Sequence, residues 1–133
     1  MNNEKRVLRI LCADDDKPVG EMLMLYLAHA GHTVEYVADG MEAWERMSKD
    51  LGHFDVLITD NDMPGLRGLE LVELLRQTDY RGRIIVHSGS LSPKEAEGYR
   101  AFGVDSIITK PIMAEKLLNV IESFYLKQAG ALA

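Results

Sequence analysis

The stretch Asp55-Val56-Leu57-Ile58-Thr59-Asp60-Asn61-Asp62-Met63-Pro64-Gly65 changes character halfway along. Its first half carries the unbroken apolar run Val56-Leu57-Ile58. A strand with one wet face alternates apolar and polar residues, so an unbroken run implies cover on both faces, as in a parallel sheet flanked by helices. Its second half is acidic and ends in Pro64-Gly65, a turn signal. A buried strand therefore delivers carboxylates to a loop at its carboxyl end.

Working outward, runs of similar character lie at Val7–Ala13, Thr33–Ala38, Arg83–Ser88 and Asp105–Thr109, with Asp55–Asp60 the third of five. Helical segments separate them. In the first, Val19, Met22, Leu23, Tyr26, Leu27 and Ala30 form one apolar stripe, with Pro18 in the first turn and Gly31 as the stop. The second carries Ala43, Trp44, Met47 and Leu51. The third carries Leu71, Val72, Leu74 and Leu75, and the last carries Met113, Leu117, Val120, Ile121 and Phe124. The fourth starts firmly at Ser92-Pro93-Lys94-Glu95, a capping box with proline at the first helical position. It continues poorly, with Gly98 in its middle and a thin apolar stripe, which marks a candidate mobile helix. Strands alternating with helices give an α/β fold, a doubly wound five-stranded parallel sheet with five helices.

The 133 residues fit one domain at 7–126, between tails at 1–6 and 127–133. A charge of -6, from 15 basic and 21 acidic residues, argues against binding a phosphate backbone directly. The densest apolar run, Met22 to Ala28, is far short of the ~20 residues of a membrane span. Arg9 interrupts any signal-peptide core. The lone Cys12 excludes an internal disulfide framework and favours a reducing compartment, the cytoplasm.

In such sheets ligands bind beyond the carboxyl ends of the strands. The first strand ends in Asp14-Asp15-Asp16, the third in Asp60, the fourth in Ser88-Gly89-Ser90 and the fifth in Lys110-Pro111. Carboxylates about 4 Å apart repel by roughly 4 kcal/mol at an effective dielectric near 20, so Asp14, Asp15 and Asp60 need a cation. Lys110 supplies one charge. An all-oxygen set short of a full cage favours Mg2+ over zinc or tight calcium binding. A carboxylate there can attack phosphorus and form an aspartyl phosphate, with Lys110 and the metal stabilising the transferring group and Ser88 donating a hydrogen bond.

The set Asp14-Asp15, Asp60 with Met63-Pro64-Gly65, Ser88-Gly89 and Lys110-Pro111 resembles the receiver domain of bacterial response regulators in two-component signalling. The resemblance implies a flavodoxin-like sheet of strand order 2-1-3-4-5. It implies Asp60 as phosphoacceptor, and Mg2+ held by Asp14, Asp15, Asp60 and the backbone carbonyl of Asp62. Ser88 would be the switch hydroxyl, Lys110 the phosphoryl-binding ammonium, and Lys110-Pro111 a cis peptide. The partners implied are a sensor histidine kinase or histidine phosphotransfer protein, and a downstream protein target. A homodimer would use the fourth helix, fifth strand and fifth helix, with Tyr99 and Tyr125 on or near that face. With no DNA-binding segment after Ala133, the expectation is a stand-alone phosphorylation switch that assists its own phosphorylation and dephosphorylation.

Two positions depart from the family. Ile107 stands where the family commonly has an aromatic switch residue three positions before the lysine, so the response is expected to run through displacement of the Ser92–Phe102 helix. Asp62, with Ser90, is placed to modulate phosphoryl lifetime. Asp16 reads as a helix-start residue, His87 as a strand residue, and Cys12 as an inert buried thiol. The alternatives are a receiver-like binding module that is never phosphorylated, and a haloacid-dehalogenase-like phosphatase suggested by Asp60-Asn61-Asp62. The latter family wants Thr or Val where Pro64 stands, and its motif follows the first core strand.

Overall fold

The Val56–Thr59 run is β3, the central strand of a five-stranded parallel sheet ordered β2-β1-β3-β4-β5. The other strands are β1 (Arg9–Ala13), β2 (Thr33–Val37), β4 (Arg83–Ser88) and β5 (Ser106–Thr109). Five helices alternate with them: α1 (Lys17–His29), α2 (Gly40–Lys49), α3 (Gly68–Arg76), α4 (Pro93–Ala101) and α5 (Ala114–Leu132). This is a computed structural model, which describes residues 6–132 and side chains as far as Tyr125. The tail at Met1–Lys5, and Ala133 at the other end, lie outside the described residues. Among those described, no helix is long and apolar enough to cross a membrane.

The continuous apolar runs are explained by two cores. Along β1, Ile10 and Cys12 face one side while Leu11 and Ala13 face the other, all buried. One side packs against Leu23 and Leu27 of α1 and Leu117 and Ile121 of α5. The opposite side packs Leu57, Ile84 and Val86 against Ala43 and Met47 of α2, the Leu71-Val72-Leu75 stripe of α3, and Tyr99 of α4. Cys12 lies fully buried in the first core, and burial pushes its thiol pKa up to about 12.

The punctuation behaves as read. The Asp16 carboxylate caps α1 by accepting from the Val19 N–H, Gly31 follows its end at φ 99°, and the capping box of Ser92 and Glu95 opens α4. Several details differ. β1 begins at Arg9, because the Leu8 N–H donates to Nδ1 of His32 instead of entering the ladder, and Val7 is exposed. Leu51 lies beyond the end of α2 but still packs on the core. Met113 precedes α5 and is exposed, so it is no part of that helix's buried stripe. Tyr99 is fully buried, facing the second core and not the surface formed by α4, β5 and α5. The α5 backbone runs on to Leu132, through residues read as tail.

Candidate functional site

Strand register places the site. Ala13 of β1 pairs with Val37 and Thr59, and Ser88 of β4 pairs with Thr109, so the residues that follow these strands emerge at one sheet edge. The Asp60 N–H donates to the Ala13 carbonyl at 2.9 Å, and the Lys110 N–H donates to the Ser88 carbonyl at 2.9 Å. The Lys110-Pro111 peptide is cis.

Carboxylate oxygens of Asp14, Asp15 and Asp60 all lie within 4.8 Å of one another. Asp14 and Asp60 are buried, whereas Asp15 is exposed. Lys110 Nζ lies 3.0 Å from Asp14 Oδ2 and 3.2 Å from Asp60 Oδ2. One ammonium therefore faces two buried carboxylates, with a third at the rim. Burial and the Asp14 charge raise the Asp60 pKa, against the pull of Lys110 and the Asn61 N–H. For Lys110, burial alone would disfavour the charge, but its bonds to Asp14 and Asp60 outweigh that and raise its pKa. The pocket holds more negative charge than the lysine neutralises. Three converging carboxylates with an exposed rim suit a hard divalent cation that keeps some of its water.

Ser88 is buried at the end of β4, where its hydroxyl donates to the Ser90 carbonyl at 3.1 Å. Ser90 is exposed. Asp62 is exposed too, and its carboxylate pairs with Arg67 at 3.2 Å. Ile107 is partly buried against the second core, beside Val86. His87 lies in β4, 1% exposed, and neither ring nitrogen has a hydrogen-bond partner among the described residues. Burial first, then the Lys110 charge, lowers its pKa to about 4, so the ring is neutral at physiological pH.

Sequence reasoning missed a polar network beside Asp60. The Asn61 N–H donates to Asp60 Oδ1 at 2.8 Å. Asn61 Oδ1 accepts from the Tyr99 hydroxyl at 2.6 Å, and its Nδ2 donates to Glu95 Oε2 at 2.9 Å. Arg67 also donates to Glu95 Oε2, at 2.9 Å. Only Glu95 gave a signal in the sequence, as the capping-box partner of Ser92.

The response regulator receiver domain family matches residues 10–122. The chain belongs to that family. The response regulator MprA of Mycobacterium leprae is 38% identical over 116 residues, 87% of this chain and 50% of that protein. The sensory/regulatory protein RpfC of Xanthomonas campestris is 29% identical across 87% of this chain but 16% of its own length. Among solved structures, the Vibrio cholerae chemotaxis protein CheY4 superposes with a TM-score of 0.79 at 32% identity, covering 88% of this chain and 98% of that one. A receiver domain from Methanospirillum hungatei gives a TM-score of 0.86 at 25% identity, covering 95% and 99%. The chain spans about half the length of the MprA relatives it matches, and nearly all of these receiver structures.

Proposed function

We propose that this receiver is a phosphorylation switch that accepts a phosphoryl group on Asp60 from a histidine kinase or histidine phosphotransfer protein. One observation carries the reading: the Lys110 ammonium bonds the buried carboxylates of Asp14 and Asp60 together, with Asp15 within reach of the same point. A carboxylate oxygen of Asp60 attacks phosphorus in line. A new O–P bond forms, the P–N bond to the donor imidazole breaks, and its electron pair returns to that nitrogen. An ionised carboxylate needs no general base.

Asp14, Asp15, Asp60 and the Asp62 carbonyl would hold Mg2+. When bound, the ion offsets charge on the phosphoryl oxygens and aligns the group for transfer. Lys110 then follows the phosphoryl oxygens, and Ser88 leaves the Ser90 carbonyl to donate to one of them. Arg67 holds the Asp62 carboxylate, and this pairing sets how far Asp62, together with Ser90, influences hydrolysis of the acyl phosphate. Ile107 offers no ring to swing, so the switch reads out through α4 to a downstream protein, and α4, β5 and α5 form the surface for homodimerisation. We place this activity in the cytoplasm, and the net charge of -6 argues against direct binding of a nucleic-acid backbone by this domain.

The test is uptake of phosphate from acetyl phosphate, with and without Mg2+, followed by intact mass. One phosphoryl group per chain, lost on chelation and absent in Asp60→Asn, is expected. Uptake that ignores Mg2+ or survives Asp60→Asn would overturn the proposal, as would no uptake at all, which favours a binding module that is never phosphorylated.

A further inference from the structure

Tyr99 is the one residue of α4 that the fold fully buries. Its ring shares a core with Leu71, Val72 and Val86, and its hydroxyl reaches across to Asn61. Glu95 lies one turn earlier on the same helix face, and it binds the other end of the Asn61 amide. Two side chains of α4 thus hold both polar ends of one buried amide. The backbone N–H of Asn61 meanwhile donates to Asp60 Oδ1. Space for the tyrosine hydroxyl depends on Gly68, where a Cβ would collide with both that oxygen and the Asp60 carbonyl.

We propose that Asn61 and Tyr99 form the relay through which the chemical state of Asp60 reaches α4, with Glu95 as the second grip; this rests on Asp60 being the phosphoacceptor. An ionised carboxylate is a strong hydrogen-bond acceptor for the Asn61 N–H. Once one oxygen is esterified to phosphorus, the remaining acyl oxygen is neutral and accepts less strongly. The bond that fixes the Asn61 backbone weakens, and Asn61 repositions. Tyr99 and Glu95 must then follow or leave buried polar groups unpaired, which is costly. Because α4 has little apolar anchorage besides Tyr99, the helix follows. The relay does the work that a rotating aromatic at residue 107 would do.

The experiment is hydrogen–deuterium exchange across residues 93–102 in the full chain, before and after acetyl phosphate with Mg2+, for wild type, Tyr99→Phe and Asn61→Ala. Intact mass is recorded on each sample. Asn61→Ala keeps the backbone N–H to Asp60, so it reports if Tyr99→Phe folds poorly. In wild type, labelling at Asp60 should speed exchange in α4 by about fivefold or more, the worth of roughly one hydrogen bond. The unlabelled variants should already exchange at about that faster rate and change little further when labelled. Equal responses to labelling in wild type and both variants would overturn the relay and leave the phosphoacceptor reading intact. A wild type that takes no label overturns both.

Discussion

The ammonium of Lys110 stands 3.2 Å from the carboxylate of Asp60 and shares itself with Asp14 at 3.0 Å. Removing it strands two buried carboxylates beside each other. Lys110→Met should lower stability without Mg2+ by about 3 kcal/mol, the low end for a broken buried pair because the lysine keeps some solvent contact. Urea melts at neutral pH measure this. Labelling by acetyl phosphate should slow about a hundredfold, as for loss of a charge-stabilising group. A labelling rate within a factor of three of wild type would remove Lys110 from the proposed chemistry.

Mg2+ should raise the melting temperature, because a ligand that binds only the folded state stabilises it, by about 2.7 kcal/mol at a hundredfold excess over Kd. Asp15→Asn should abolish most of that rise. Since Asp15 is exposed, the metal-free melting temperature should stay near wild type. Thermal scans with and without Mg2+ give both values, and an undiminished rise would dismiss Asp15 as a ligand.

The scaffold and most of the site were legible because both are written in local pattern. Unbroken runs such as Val56-Leu57-Ile58 announce doubly covered strands, and Asp14, Asp60, Ser88 and Lys110 stand where those runs stop. The Tyr99 hydroxyl was not legible. Its partner Asn61 is 38 residues away, and a lone tyrosine in a helix with a thin apolar stripe gives no periodic signal. The start of β1 was misread for a related reason, since the Leu8 N–H is taken by His32, 24 residues on. Long-range polar pairings leave no trace in hydrophobic periodicity.

His87 gives a pH signature. Its pKa is lowered to about 4 in the folded chain against an ordinary value of 6.5, with Lys110 and Asp14 the charges that act on it besides burial. The native ring stays neutral where the unfolded ring takes a proton. Stability is therefore fully present above pH 6.5, falls as pH drops toward 4, and levels off below, a loss of roughly 3 kcal/mol. Denaturant melts from pH 7 to 4 on wild type and His87→Val isolate this contribution. Parallel curves for the two proteins would show that His87 carries none of it.

Gly68→Ala sets helix propensity against packing. Alanine gains up to about 1 kcal/mol in a helix interior, and less at a first helical position. Its Cβ would overlap the Asp60 carbonyl oxygen and the Tyr99 hydroxyl. Backbone cannot yield cheaply, so a net loss of about 2 kcal/mol is expected, typical of overpacking. A variant as stable as wild type in urea would mean that α3 and α4 can separate there at little cost.

The central claim is that the phosphoryl group resides on one side chain. Protein treated with acetyl phosphate and Mg2+ is reduced with borohydride, which converts an aspartyl phosphate to homoserine, and is then mapped by peptide mass spectrometry. The account predicts homoserine at position 60 and at no other aspartate. Conversion at Asp14, Asp15 or Asp62 instead, or at no position in protein that has gained a phosphoryl mass, would contradict it.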